Sequence, residues 1–322
     1  MTPVVLVSDF DFYPQDSVAK LKSKFNVIRS SAKNAGELSD ELRDSNAEAF
    51  FCGLGIYIGE DLLKKVTSLR YLVSPATGIN HLDLSYLNSQ KISVIKLGDI
   101  KNQIQNVFAT AELAWGLIIA CARRMNLAVE SVKEGDFDRT QFLGRELSGR
   151  TLGVVGFGRL GQQVAKYGSV FGMNVVVFET DSAKHAVIAP FRKIDSLVEL
   201  LNISDVVSVH IPFNDENQNC INAAMISEVK RGAIFVNTSR GELVDELALS
   251  SSLRSGQLFG IGVDVLSNES GDEFEARNSP LVSAMRDGFN VIVTPHIGGW
   301  AHDAVEMTRT SIVDEFLKRY ET

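Results

Sequence analysis

A chain of 322 residues with 45% hydrophobic and 22% charged residues is long enough for two domains and has the balance of an ordinary folded protein, which excludes a disordered chain. Its 32 Lys and Arg against 40 Asp and Glu give a net charge of −8 without basic clusters, which argues against nucleic acid or an anionic membrane surface as a partner. No apolar segment reaches the length of a membrane span. Cys52, Cys121 and Cys220 are odd in number and lack metal-ligand spacing, so neither a disulfide framework nor a metal site is expected, and reduced thiols of a cytoplasmic protein are the simpler reading.

The N-terminal run Val4–Val7 is too short for a signal peptide, lacks a basic leader, and reads as a first strand. From there to Val94, short β-like runs (Val4–Val7, Asn26–Ile28, Ala49–Phe51, Tyr71–Val73, Val94–Ile95) alternate with helix-like stretches such as Asp16–Lys24 and Glu60–Lys65. That alternation predicts a parallel sheet with helices on both faces. No glycine-rich turn follows its first strand, so this unit is not expected to hold a nucleotide. Ile104, Val107, Phe108, Ala111, Ala114, Leu117, Ile118 and Cys121 then fall at helical spacing and predict one long apolar helix, either bridging two domains or lying in the core of one. Lys133–Gly149 is more polar, carries Gly135, Gly144 and Gly149, and reads as an arm.

At Thr151 the pattern sharpens. The apolar run Thr151–Val155 leads into Gly156-Phe-Gly158-Arg-Leu-Gly161 and an amphipathic stretch, the order strand, glycine turn, helix. Gly156 would permit the tight turn, Gly158 the approach of a pyrophosphate, and Gly161 the close packing of helix on sheet, with the helix N-terminus facing the phosphates. A glycine turn alone is a weak signal, since such turns occur with no ligand. Here Val175–Phe178 delivers an acidic residue, Glu179, about 20 residues on, where the ribose hydroxyls of a dinucleotide need an acceptor. Further strands are predicted at Val206–Val209, Ile234–Val236, Gly260–Val263 and Val291–Val293.

In an open parallel sheet, ligands collect beyond the carboxyl ends of the strands. The residues just past those ends are Gly156, Glu179, His210-Ile211-Pro212, Asn237–Arg240, Asp264 and Thr294–Gly299. Arg240, Glu269 and His296 each follow a predicted strand, so topology could unite a cation, a carboxylate and an imidazole. An arginine fork can hold a carboxylate and its neighbouring carbonyl. A histidine can exchange a proton with that oxygen, while a carboxylate on the other ring nitrogen fixes the tautomer. Such a set suits reduction of a 2-keto acid by a nicotinamide, with His296 as acid/base and Arg240 orienting the substrate. Taken singly, an Arg near a sheet edge is more often a surface ion pair, and a lone His after a strand is more often a satisfied structural group.

The segments Leu147–Gly161, Asn237–Asp245, Gly262–Val265 and Thr294–Gly299, with Ala76–Asp83 and Ala109–Ala114 earlier in the chain, resemble the signatures of the D-isomer-specific 2-hydroxyacid dehydrogenases over nearly the whole length. The resemblance implies an α/β fold of two doubly wound parallel-sheet domains. A Rossmann-type NAD-binding domain (103–295) would be inserted in a discontinuous flavodoxin-like substrate domain (1–102 with 296–322), with a substrate cleft between them. It further implies that Arg240 binds the substrate carboxylate and carbonyl, His296 is the acid/base and Glu269 supports it, and that backbone around Ala76, Thr77 and Gly78 clasps the carboxylate. On the cofactor side, Arg159 and Leu160 would meet the pyrophosphate and Glu179 the ribose. Ile211, Pro212 and Asn217 would lie along the cofactor, Thr238 and Asp264 near the nicotinamide, and Ser239, Gly298 and Gly299 would complete the contacts.

Glu179, followed by Thr180 and Asp181 rather than an arginine, favours NAD over NADP. The usual Pro-Glu-Pro context of the catalytic Glu is Asn268-Glu269-Ser270 here. The loop after the third strand reads Cys52–Tyr57 where phosphoglycerate-type relatives tend to carry arginines, which implies a 2-hydroxy acid with a small or apolar tail; Tyr57 and Trp300 are candidate lining residues or simple packing groups. Relatives usually dimerise through the nucleotide domain, so a homodimer is implied, with an interface near Lys133–Arg145. An NAD(H)-sensing binding protein with vestigial catalysis is the alternative, and a formate-type dehydrogenase is disfavoured by Glu269.

Overall fold

In the computed structural model, residues 2–181, 189–269 and 274–321 are described, and Ser270 therefore lies outside the described residues. The chain divides into two compact units, Met1–Val107 with Phe274 and Ala301–Thr322, and Phe108–Glu269 with Glu275–Trp300. The crossings fall a few residues beyond the 102/103 and 295/296 positions read from the motifs. Packing sets them: Ile104 and Val107 are buried in turns of the first unit, and the backbone from His296 to Gly298 is tied to Asp264 in the second.

The first unit holds a parallel sheet of β1 (Val4–Val7), β2 (Asn26–Arg29), β3 (Ala49–Phe51), β4 (Tyr71–Ser74) and β5 (Ser93–Lys96) in the order β2-β1-β3-β4-β5. This is the flavodoxin-like order. The inner strands are almost wholly apolar because helices cover both faces, whereas the edge strand β2 exposes Asn26 and Arg29. The C-terminal helix His302–Tyr320 belongs to this unit. Its Phe316 is fully buried, with ring centroids 5.5, 5.1 and 5.7 Å from those of Phe25, Phe51 and Tyr71. Aromatic edge contacts of this kind fasten the helix across β3 and β4.

The second unit holds β6 (Thr151–Val155), β7 (Asn174–Phe178), β8 (Arg192–Ile194), β9 (Val206–Val209), β10 (Ile234–Asn237), β11 (Gly260–Val263) and β12 (Val291–Val293), all parallel. Their order, β12-β11-β10-β9-β6-β7-β8, is the Rossmann arrangement extended by one strand. The long apolar helix spans Ala109–Ala122, not Ile104–Cys121, and lies within this unit. Ile104 and Val107 share its spacing only because buried turns place them inward too. Gly262 makes room for the helix: a Cβ there would sit 2.9 Å from Leu117 Cβ. β8 escapes the sequence pattern because this edge strand exposes Arg192 and Lys193 and buries only Ile194. No helix among the described residues is long and apolar enough to cross a membrane.

Candidate active site

Every residue proposed from the sequence for catalysis or cofactor binding lies in the second unit, at or beyond the carboxyl ends of its strands. Ala76, Thr77 and Gly78 belong to the first unit, where they follow β4.

The turn after β6 is built for close approach. Gly156 has φ +92°, and a Cβ on it would lie 2.7 Å from the backbone oxygen of His210. A Cβ on Gly161 would lie 2.0 Å from the Gly156 oxygen, so the helix Arg159–Val170 can start here only on glycine. Gly158 caps that helix, and a Cβ on it would meet nothing within 4 Å: the space in front of the helix N-terminus is open. The helix N-terminus turns its positive dipole end to that space, as a pyrophosphate requires. Arg159 and Leu160 open the helix, and burial pulls the Arg159 guanidinium below its usual pKa without discharging it.

Glu179 is oriented by the same turn. Its Oε2 accepts the Phe157 N–H and its Oε1 the Asp181 N–H, both at 2.8 Å. The turn, open at Gly158 and flanked by this acceptor, fits a dinucleotide.

Along the same edge, Ile211 packs against Gly156. Asn217 donates to Pro212 O at 2.7 Å and accepts the Asn214 N–H at 2.8 Å, so its side chain shapes the 212–217 loop. Thr238 is buried, and its Oγ1 has no hydrogen-bond partner among the described residues. Ser239 Oγ donates to Val209 O at 2.9 Å, joining the ends of β9 and β10. Asn237, not singled out individually from sequence, clamps the next turn: its Oδ1 accepts the Ser239 N–H at 2.9 Å and its Nδ2 donates to Arg240 O at 2.8 Å.

Asp264 is nearly fully buried and spends both carboxylate oxygens on the segment that carries His296. Oδ1 accepts from Thr294 Oγ1 at 2.5 Å and from Ile297 N–H at 2.8 Å, and Oδ2 from Gly298 N–H at 2.7 Å. Burial pushes its carboxyl pKa up against the pull of those donors and of His296. Gly298 is needed for this contact, since a Cβ there would stand 2.9 Å from Asp264 Oδ2, whereas Gly299 faces open space. His296 itself sits at φ +52°, a left-handed backbone held by its own N–H donating to Asp264 O at 2.9 Å. Non-glycine residues in that region are uncommon and cluster at functional sites.

His296 Nδ1 is hydrogen-bonded to Glu269 Oε1, with both side chains largely but not wholly buried. Arg240 lies close enough to Glu269 for their charges to act on each other: burial pulls the guanidinium pKa down, and Glu269 and Glu242 pull it back up. Glu269 and His296, far apart in sequence, are thus a hydrogen-bonded pair, and the turn that carries Arg240 lies against the turn that carries Glu269. Gly241 permits it, because a Cβ there would lie 2.2 Å from the Leu266 carbonyl carbon and the Ser267 nitrogen, so the Arg240 and Glu269 turns meet backbone to backbone. Tyr57 in the first unit and Trp300 in the second are both exposed.

Comparison with known proteins agrees with this geometry. Residues 115–298 match the family model described as "D-isomer specific 2-hydroxyacid dehydrogenase, NAD binding domain". The chain is 32% identical to the hydroxypyruvate reductase of Thermotoga maritima over 80% of each sequence, and 30% identical to the D-3-phosphoglycerate dehydrogenase of Methanocaldococcus jannaschii over 94% of this chain and 55% of that one. It thus spans about half the length of several phosphoglycerate dehydrogenases that it matches. Among solved structures, the D-lactate dehydrogenase of Aquifex aeolicus in complex with NAD and lactic acid superposes with a TM-score of 0.79 at 28% identity, covering 98% of this chain and 95% of that one. With more than half of its length matching that family's NAD-binding domain and a relative 32% identical over 80% of each sequence, the chain belongs to the D-isomer-specific 2-hydroxyacid dehydrogenase family.

Proposed function

We propose that the protein is an NAD-dependent D-2-hydroxyacid dehydrogenase interconverting a 2-keto acid and the corresponding 2-hydroxy acid. The observation that carries this reading is the Glu269–His296 pair, on a turn packed against the turn that carries Arg240. With Nδ1 engaged by Glu269, the ring presents Nε2 as the nitrogen that passes a proton to, or takes it from, the substrate oxygen. Glu269 fixes the tautomer and the orientation of the ring for that transfer. Arg240 offers a guanidinium fork to the carboxylate and polarises the adjacent carbonyl. When bound, the nicotinamide supplies or accepts the hydride. In the first unit, Ala76, Thr77 and Gly78 are proposed as the carboxylate-binding turn and that unit as the substrate domain.

The loop Cys52–Tyr57 carries no cationic side chain to pair with a phosphate, which supports a substrate with a small or apolar tail, such as glyoxylate, hydroxypyruvate or a branched 2-keto acid. A cytoplasmic location is proposed for the chain, where Cys52, Cys121 and Cys220 would stay reduced. A second copy of the chain is proposed as its partner, through the second unit. The test is steady-state NADH oxidation with a panel of 2-keto acids. His296→Ala is expected to lower kcat by about 10²–10⁴-fold, the usual worth of general acid catalysis, while NADH binding persists. Unchanged turnover in that variant, or no turnover of any keto acid by the wild type, would overturn the reading.

A further inference from the structure

Glu269 stands on a short turn, Leu266–Glu269, whose backbone would need outside support to aim a carboxylate at one ring nitrogen. Three carboxylates hold that turn. Glu269 Oε2 accepts the Leu266 N–H at 3.2 Å, Glu242 Oε1 accepts the Asn268 N–H at 3.2 Å, and Glu246 Oε1 accepts the Ser267 N–H at 2.7 Å. Asn268 is left-handed, at φ +59°, a conformation that asparagine adopts more readily than other side-chain-bearing residues, so the turn is locally allowed and the carboxylates fix where it sits.

Glu246 differs from the other two in what stands behind it. It is the first residue of the helix Glu246–Arg254, and its second oxygen, Oε2, accepts from Ser279 Oγ at 2.8 Å. Ser279 is the buried N-cap of the helix Pro280–Arg286, and Ser250 Oγ donates to Pro280 O at 3.0 Å, so the two helices are fastened together. One carboxylate thus ties the Glu269 turn to a rigid pair of helices. A simple helix-start acid would need neither contact, since its favourable interaction with the dipole requires only its position.

Resting on the dehydrogenase reading above, we infer that Glu246 is a positioning residue for the reaction: through Ser267 it holds Glu269 in register with His296 Nδ1. Misplacing a catalytic group by about 1 Å from a distance can cost on the order of 10²-fold in rate. The position of Glu246, outside the reacting cluster, places its effect on kcat and leaves the cofactor site untouched.

The experiment is a double-mutant cycle between Glu246 and Glu269, read in kcat for 2-keto acid reduction and in the NADH dissociation constant. Glu246→Ala is expected to lower kcat about tenfold with NADH affinity within about twofold. Glu246→Gln, which keeps an acceptor for the Ser267 N–H, is expected to stay within about threefold of wild type. In a Glu269→Gln background the Glu246→Ala loss should shrink below about twofold, because the two residues act through one contact. Ser279→Ala, which detaches only the outer leg, should lose about threefold in the Glu269 background and nothing in the other, and it answers the question if Glu246→Ala does not fold. A kcat within twofold of wild type in Glu246→Ala, or equal losses in both backgrounds, would overturn the role. Glu269→Gln indistinguishable from wild type would instead overturn the reading on which the role rests.

Discussion

His210, directly after β9, is buried, its Nε2 within 2.8 Å of Ser208 Oγ and its Nδ1 without a hydrogen-bond partner among the described residues. Burial pushes its pKa from 6.5 down to about 4. Above pH 6.5 neither folded nor unfolded chain protonates it, so it costs nothing there. As pH falls from 6.5 towards 4, the unfolded chain takes a proton that the folded one refuses, and stability drops. Denaturant titrations at pH 7 and pH 5 should show His210→Gln losing about 1–2 kcal/mol less than wild type on acidification; parallel losses would sink the prediction. Glu179 carries a second residue-level expectation. A carboxylate already fixed by two backbone N–H groups cannot swing away from a 2′-phosphate, and like-charge juxtaposition costs several kcal/mol. NADH should therefore exceed NADPH in kcat/KM by about 10²-fold or more, and Glu179→Gln should cut that ratio about tenfold.

At the scale of elements, the strand–turn–helix at β6 separates two roles of glycine that the sequence pattern lumps together. Gly161 is a packing glycine, since its Cβ would collide with backbone that has no room to yield, whereas Gly158 faces open space. Gly161→Ala should therefore destabilise the fold by about 1–3 kcal/mol in thermal unfolding. Gly158→Ala should unfold within about 0.5 kcal/mol of wild type yet bind NADH more weakly, because the added methyl occupies the space where the phosphates approach. Equal unfolding midpoints for the two variants would contradict this division. The same strand-end geometry makes the active cluster: Asn237, Gly241 and Asp264 bind no substrate in the proposed scheme, yet they set the turns that carry Arg240 and His296.

At the scale of the whole molecule, the second unit carries a run of exposed apolar side chains among the described residues. Met125, Val129 and Val132 line one side of the helix Met125–Lys133, and Phe137 and Leu143 on the following arm are 91% and 84% exposed. Gly144 and Arg145 pin the arm: a Cβ on Gly144 would lie 2.7 Å from Ala122 O, and the Arg145 N–H donates to Ala122 O at 2.8 Å. A face with protruding side chains beside a shallow apolar depression at Ala128, Val129 and Val132 can fit its own copy about a two-fold axis. Sedimentation should give a dimer, and Val129→Glu with Phe137→Asp a monomer; a monomeric wild type would refute the assignment.

Much of this was legible in the chain. Apolar runs of four or five residues alternating with amphipathic stretches define parallel strands, because a strand buried on both faces must be apolar throughout, and a glycine turn followed by Glu179 marks a nucleotide edge. What the sequence could not reveal is whatever depends on neighbours distant along the chain. Arg192 and Lys193 hide β8 because an edge strand need not be apolar, and Ile104 mimicked a helical residue because burial in a turn uses the same side chains as burial in a helix. The sequence by itself determined the two α/β units and the strand–glycine turn–helix order at β6. Tertiary structure alone decided which nitrogen of His296 meets Glu269, that Gly241 brings two turns into contact, and that Glu246 stands behind them, since hydrogen bonds across 20 to 30 positions are made by the fold and leave no period in the sequence.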